Sequence, residues 1–164
     1  MSQHPYMSRL DLGEEVRRAV IPVLQARLSD TLDLFAQLKQ AHWNVRGPQF
    51  IALHDLFDRL AEEVEDASDE IAERIVALGG LADGRIQATA SMSRLPEYPE
   101  RVRLAPSVLG ALADAISSYG RGLREGIADT TDAGDADSAD LLTGISRQAD
   151  KALWFVEAHL LLGD

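Results

Sequence analysis

Apolar residues recur at intervals of three and four from about residue 10 to residue 45, at Val16, Val20, Val23, Leu24, Leu28, Leu32, Phe35 and Leu38. This is the period of a helix with one buried face. Pro22 sits near its start and is expected to kink it. Arg46-Gly47-Pro48 then ends one helix and opens the next, since Gly suits the position after a helix and Pro the first turn. The second helix is expected over about 49 to 78, stopping at Gly79-Gly80. From 81 to 105 the periodicity is lost, and Gly84, Pro96 and Pro99 mark a long connection with room for one short helix around 85 to 92. A third long helix is expected over 106 to 130, opened by Pro106 and carrying Gly110, Gly120, Gly122 and Gly126. Each of those glycines is about 1 kcal/mol less favourable than Ala, and they would permit close helix contacts. After Asp132-Ala133-Gly134 a fourth long helix runs to about 161 through Leu141, Leu142, Ile145, Ala149, Ala152, Leu153, Val156 and Leu160.

Four long helices without a strand-like stretch define an all-α chain, an up-down four-helix bundle with a long crossover between the second and third long helices. With 164 residues, one domain spanning 10–164 behind a short N-terminal tail (1–9) is expected. No run approaches the roughly 18 apolar residues of a membrane span, and no secretory signal is visible, so the chain reads as cytoplasmic with no membrane partner.

The second helix carries a second pattern. Taking Phe57 as zero on a helical wheel, Phe50, Leu53, Leu60, Val64, Ala67, Ile71, Ile75 and Leu78 fall between roughly −80° and +20°, forming a core stripe. His54, Asp58, Asp69 and Glu73 fall between roughly 60° and 160°, turned away from that stripe. His54-Asp58 and Asp69-Glu73 are each spaced i,i+4, so each pair points two ligating groups the same way. The pair centres are 15 residues apart. That is roughly 22 Å of helix, too far for one chain to close both pairs on one ion. If two copies of the helix pack antiparallel about a two-fold axis near residues 63 and 64, His54-Asp58 of one lies opposite Asp69-Glu73 of the other. Two identical sites then close together, and His42 in the preceding helix can add a second imidazole.

Composition narrows the chemistry. Cysteine is absent, which leaves His, Asp and Glu as the metal ligands. This nitrogen and oxygen set suits iron, manganese or zinc, with iron(II) a natural redox-active occupant, and no organic cofactor is expected. The net charge is −11 and only Lys39 and Lys151 are lysines. Such a balance disfavours a broad nucleic-acid surface and favours attraction of cations.

The segments KQAHWNVRGPQFIALHDLFD and DEIAER, with LLTGISRQADKALWFVEAHL in the last helix, resemble the Dps family of mini-ferritins. The resemblance implies a ferritin-like four-helix subunit in a dodecameric shell, with ferroxidase centres at two-fold interfaces. His42, His54 and Asp58 would come from one subunit and Asp69 and Glu73 from its mate. The implied activity is oxidation of Fe(II) to Fe(III), with hydrogen peroxide or dioxygen as oxidant, and storage of the ferric mineral in a hollow interior. Lys39, three residues before His42, can pair with Asp58 and compete with a second cation, or can be a solvent-facing lysine. Trp43 resembles the family's tryptophan beside the centre, an electron donor or an interface aromatic, whereas Trp154 reads as packing. Asp135, Asp137 and Asp140 fall where the family places acidic pores, and N-capping explains acids there equally well.

The chain departs from the family's DNA-compacting members. Residues 1 to 20 balance Arg9, Arg17 and Arg18 against Asp11, Glu14 and Glu15, and the chain ends LLLGD. Without a basic arm, weak or absent DNA binding is expected. The alternatives are a DNA-compacting scaffold with incidental metal sites, and a di-iron oxygenase, which would need Glu-x-x-His motifs that the third and fourth long helices lack.

Overall fold

The computed structural model describes residues 8–160. Residues 1–7 of the expected tail, and most of the terminal LLLGD, lie outside the described residues.

Five helices follow one another: α1 (Glu14–Asn44), α2 (Phe50–Ala77), α3 (Ile86–Met92), α4 (Ala105–Asp132) and α5 (Ala136–Ala158). The four long ones form the expected bundle, and α3 is the short helix within the crossover from α2 to α4. α1 packs along α2, α4 along α5, and the two pairs meet through α1 with α4 and α2 with α5. α1 begins at Glu14, later than the periodicity suggested, and runs through Pro22 as one helix. A prolyl ring in the second half of the third turn loses one backbone hydrogen bond, which the rest of a 31-residue helix tolerates. The turns fall at glycines in the left-handed region, Gly47 at φ 128°, Gly79 at 90° and Gly134 at 87°. There a side chain would be strained.

The α2 core stripe is largely as expected. Leu53, Phe57, Leu60, Ala67, Ile71, Ile75 and Leu78 are buried. Phe50, the first residue of α2, is the exception at 41% exposed. Val64 is half-buried. Trp154 does not pack into the subunit core as expected: it is 64% exposed, its ring tilted against Phe155 at 5.0 Å.

α1 departs most from a simple amphipathic helix. It buries Arg27, Asp30, Thr31 and Gln37 together with its leucines, because α2, the crossover and α4 cover it from several sides. Arg27 Nη2 lies 2.9 Å from Asp30 Oδ2, both side chains 2% exposed. Asp30 Oδ1 accepts the backbone N–H of Arg94 at 2.8 Å, fastening the crossover to α1. Gly122 makes room for this pair, since an added Cβ would collide with the Arg27 guanidinium. Gly126 approaches Leu142, where a Cβ would lie 2.9 Å from Cδ1. At Gly110 nothing lies within 4 Å, so close packing does not explain that glycine.

Candidate metal centre

The last two turns of α1 and the first two of α2 are antiparallel neighbours joined by a short turn, which brings His42 beside His54. Their rings stack with centroids 3.7 Å apart and planes 20° from parallel. His42 Nδ1 lies 2.8 Å from the backbone carbonyl of His54, and His54 Nδ1 lies 2.9 Å from the carbonyl of His42. A carbonyl only accepts, so each Nδ1 carries the hydrogen and donates it. Each neutral ring is thereby left with its lone pair on Nε2, the tautomer a metal requires. These carbonyls are the orienting groups that the sequence did not reveal. Phe50, one turn before His54, adds its ring at 5.1 Å on the outer side of the pair.

Asp58 stands one turn beyond His54. Its Oδ1 lies 3.8 Å from His42 Nε2, so the carboxylate and the free imidazole nitrogen converge. The same oxygen accepts a hydrogen bond from Lys39 Nζ at 2.5 Å. That bond, with the Lys39 charge behind it, holds the Asp58 carboxyl below the usual carboxylate range despite some desolvation. Of the two roles expected for Lys39, the structure shows the pairing with Asp58, the ammonium sitting on one of the carboxylate's lone pairs.

Asp69 and Glu73 lie on the far half of α2, exposed and away from this cluster. Arg74 fixes their direction. Its Nη2 bonds Asp135 Oδ1 at 2.8 Å and its Nε bonds Ser138 Oγ at 2.9 Å, pinning that side of α2 to the start of α5. The adjacent Glu73 is left facing outward. Among the described residues no group of three or more ligating side chains closes within the chain. The structure thus brings together His42, His54 and Asp58 with Lys39 beside them, and leaves Asp69 and Glu73 apart.

The three acids near α5 separate into two roles. Asp135 is 1% exposed, caps α5 by accepting from Ser138 N at 3.1 Å, and is ion-paired to Arg74. A carboxylate so committed caps and braces the helix rather than facing a pore, which corrects its grouping with the other two. Asp137 and Asp140 are exposed. Trp43, next to His42, is 67% exposed. No helix among the described residues is long and apolar enough to cross a membrane.

Comparison with known proteins agrees with this architecture. The ferritin-like domain family matches residues 21–163. The "DNA protection during starvation protein" of Agrobacterium fabrum is 40% identical over 155 residues, covering 94% of this chain and 96% of that one. Among solved structures, DpsC from Streptomyces coelicolor superposes with a TM-score of 0.93 at 31% identity, covering 98% of this chain and 94% of that chain. DpsA14 from the same organism gives 0.91 at 35% identity, covering 98% and 95%. The chain therefore belongs to the ferritin-like family, and within it to the Dps proteins. Iron storage with ferroxidase-type chemistry is the general function of that family.

Proposed function

We propose that this chain oxidises Fe(II) to Fe(III) at centres shared by two copies across a two-fold axis, and holds the ferric product inside a hollow dodecamer in the cytoplasm. The observation carrying this reading is the half-site on α1 and α2: two imidazoles with oriented Nε2 lone pairs beside Asp58. A half-site of two nitrogens and one carboxylate lacks ligands and charge for iron, and Asp69 and Glu73, outward on the same helix, are the complement a second copy would bring.

Hydrogen peroxide is the proposed oxidant. Two Fe(II) each give one electron, the O–O bond breaks, and with two protons the peroxide becomes two waters, so no hydroxyl radical is released. The imidazoles bind Fe(II) without locking it, and the carboxylates favour the harder Fe(III) product. Lys39 on Asp58 makes one iron position firm and the second weaker. Trp43, beside His42, is placed to report iron binding through its fluorescence, and Asp137 and Asp140 are the residues proposed to draw Fe(II) towards an entrance. With its net charge of −11, the chain protects DNA by removing Fe(II) and peroxide rather than by compacting it.

Anaerobic loading with Fe(II) followed by peroxide tests the reading. The parent should oxidise iron rapidly, and the double variant His54→Ala with Asp58→Ala should lose that phase. Equal rates would remove the proposed centre.

A further inference from the structure

A cleft of about 150 Å³ opens between the crossover and α4, apart from the candidate metal ligands, and is lined by Leu95 and by the polar or small residues Asp30, Arg94, Ser118, Arg121, Gly122 and Glu125. Ser118, Arg121, Gly122 and Glu125 succeed one another at three-, four- and seven-residue spacing along one face of α4. Arg94 reaches the cleft from the crossover, its backbone fixed by Asp30.

The charges in this cleft are unequally satisfied. Asp30 is neutralised from behind by Arg27 and from the crossover by the Arg94 N–H. Arg94 meets Glu125 at 3.3 Å, but these side chains are 57% and 52% exposed, so that pair is weak and readily exchanged. Arg121 has no carboxylate partner among the described residues, and the Ser118 hydroxyl has no hydrogen-bond partner there either. Of the four charged groups lining the cleft, Asp30 is already paired with the buried Arg27 and Arg94 with Glu125, which leaves the Arg121 guanidinium as the charge open to a ligand. Gly122 contributes by its missing side chain, which lets the buried Arg27 guanidinium sit directly behind the cleft.

We propose that this cleft binds a phosphate-type oxyanion, gripped by Arg121 and Arg94 and accepting a hydrogen bond from Ser118. Guanidinium forks match the oxygens of such a group, and charge-assisted bonds of this type are about twice as strong as neutral ones. Glu125 is the competitor that the ligand displaces from Arg94. The opposed roles of Arg121 and Glu125, both exposed, make the site testable by changes of opposite sign.

Equilibrium dialysis of the iron-free full chain against radiolabelled inorganic phosphate provides the test, with circular dichroism confirming that each variant is folded. Saturable binding of one phosphate per chain is expected. Arg121→Ala should weaken it by about tenfold or more, and Glu125→Gln should tighten it severalfold. Displacement by glycerol phosphate would identify the source as a small phosphomonoester, and resistance to displacement would identify free phosphate; both support the site. Absence of saturable binding in the parent, or unchanged binding in Arg121→Ala, would overturn it.

Discussion

His42 and His54 hold each other in place: each donates its Nδ1 hydrogen to the other's backbone carbonyl, at 2.8 and 2.9 Å, with the rings stacked between them. This reciprocity makes the α1–α2 turn part of the site. A backbone shift at either residue moves both the ring it carries and the acceptor that orients the other, so the turn couples the two imidazoles.

If iron binds as proposed, Lys39 should limit how many irons the centre accepts. Its ammonium lies 2.5 Å from Asp58 Oδ1, and a second cation must displace it or share the carboxylate. Lys39→Ala is expected to strengthen the weaker iron position and raise the stoichiometry of Fe(II) binding at low iron, measured by anaerobic calorimetric titration. Identical stoichiometry and affinity in variant and parent would show that the lysine is a bystander.

The buried pair between Arg27 and Asp30 predicts a large stability effect far from the iron ligands. Asp30→Asn leaves a guanidinium 2% exposed without its counter-charge. Removing one partner of such a pair costs about 3–5 kcal/mol. Urea unfolding should show the midpoint falling accordingly, and a shift below about 1 kcal/mol would mean that Arg27 finds solvent or another partner.

Tyr98 sets an alkaline limit. Burial pushes its phenol up to about 12, and its hydroxyl has no hydrogen-bond partner among the described residues. The folded chain therefore keeps a proton that the unfolded chain loses near pH 10. A raised folded-state pKa means stability that is complete below about pH 10 and is lost as pH rises through about 12, by roughly 2 kcal/mol for this group. Tyr98→Phe should be neutral or slightly stabilising at pH 7 and should flatten part of the alkaline loss. Tyr119 is also shifted upward by burial and contributes in the same direction. Parallel pH curves for Tyr98→Phe and the parent would contradict this.

The helices and the two faces of α2 were legible in the sequence because both are statements of period, and the turn glycines at 47, 79 and 134 mark where the period breaks. The charged core of α1 was not. Arg27 and Asp30 are residue types that normally face water, and their burial depends on how the crossover and α4 close over α1. Gly122 was the available signal, small where Arg27 needs space, yet indistinguishable in sequence from Gly110, where an added Cβ would meet no other side chain within 4 Å among the described residues. At the candidate metal centre, spacing in the sequence pointed to the side chains proposed as ligands, but the orientation of the two imidazoles rests on backbone carbonyls, which every residue has. Asp135 shows the converse: three acids in one short segment read alike until one is found buried against Arg74.

The central claim is that each iron centre is built from two chains, and complementation tests it most directly. One chain carries His54→Ala with Asp58→Ala, the other Asp69→Ala with Glu73→Ala, and each alone should lack rapid peroxide-driven Fe(II) oxidation. Co-refolded as an equal mixture, half of the two-fold dimers pair unlike chains. Each of those holds one intact site and one doubly defective one. Activity should return to about a quarter of the parent's per chain for random two-fold pairing. No recovery, in mixtures shown by mass spectrometry to contain unlike dimers, would mean that the ligands do not meet across the interface.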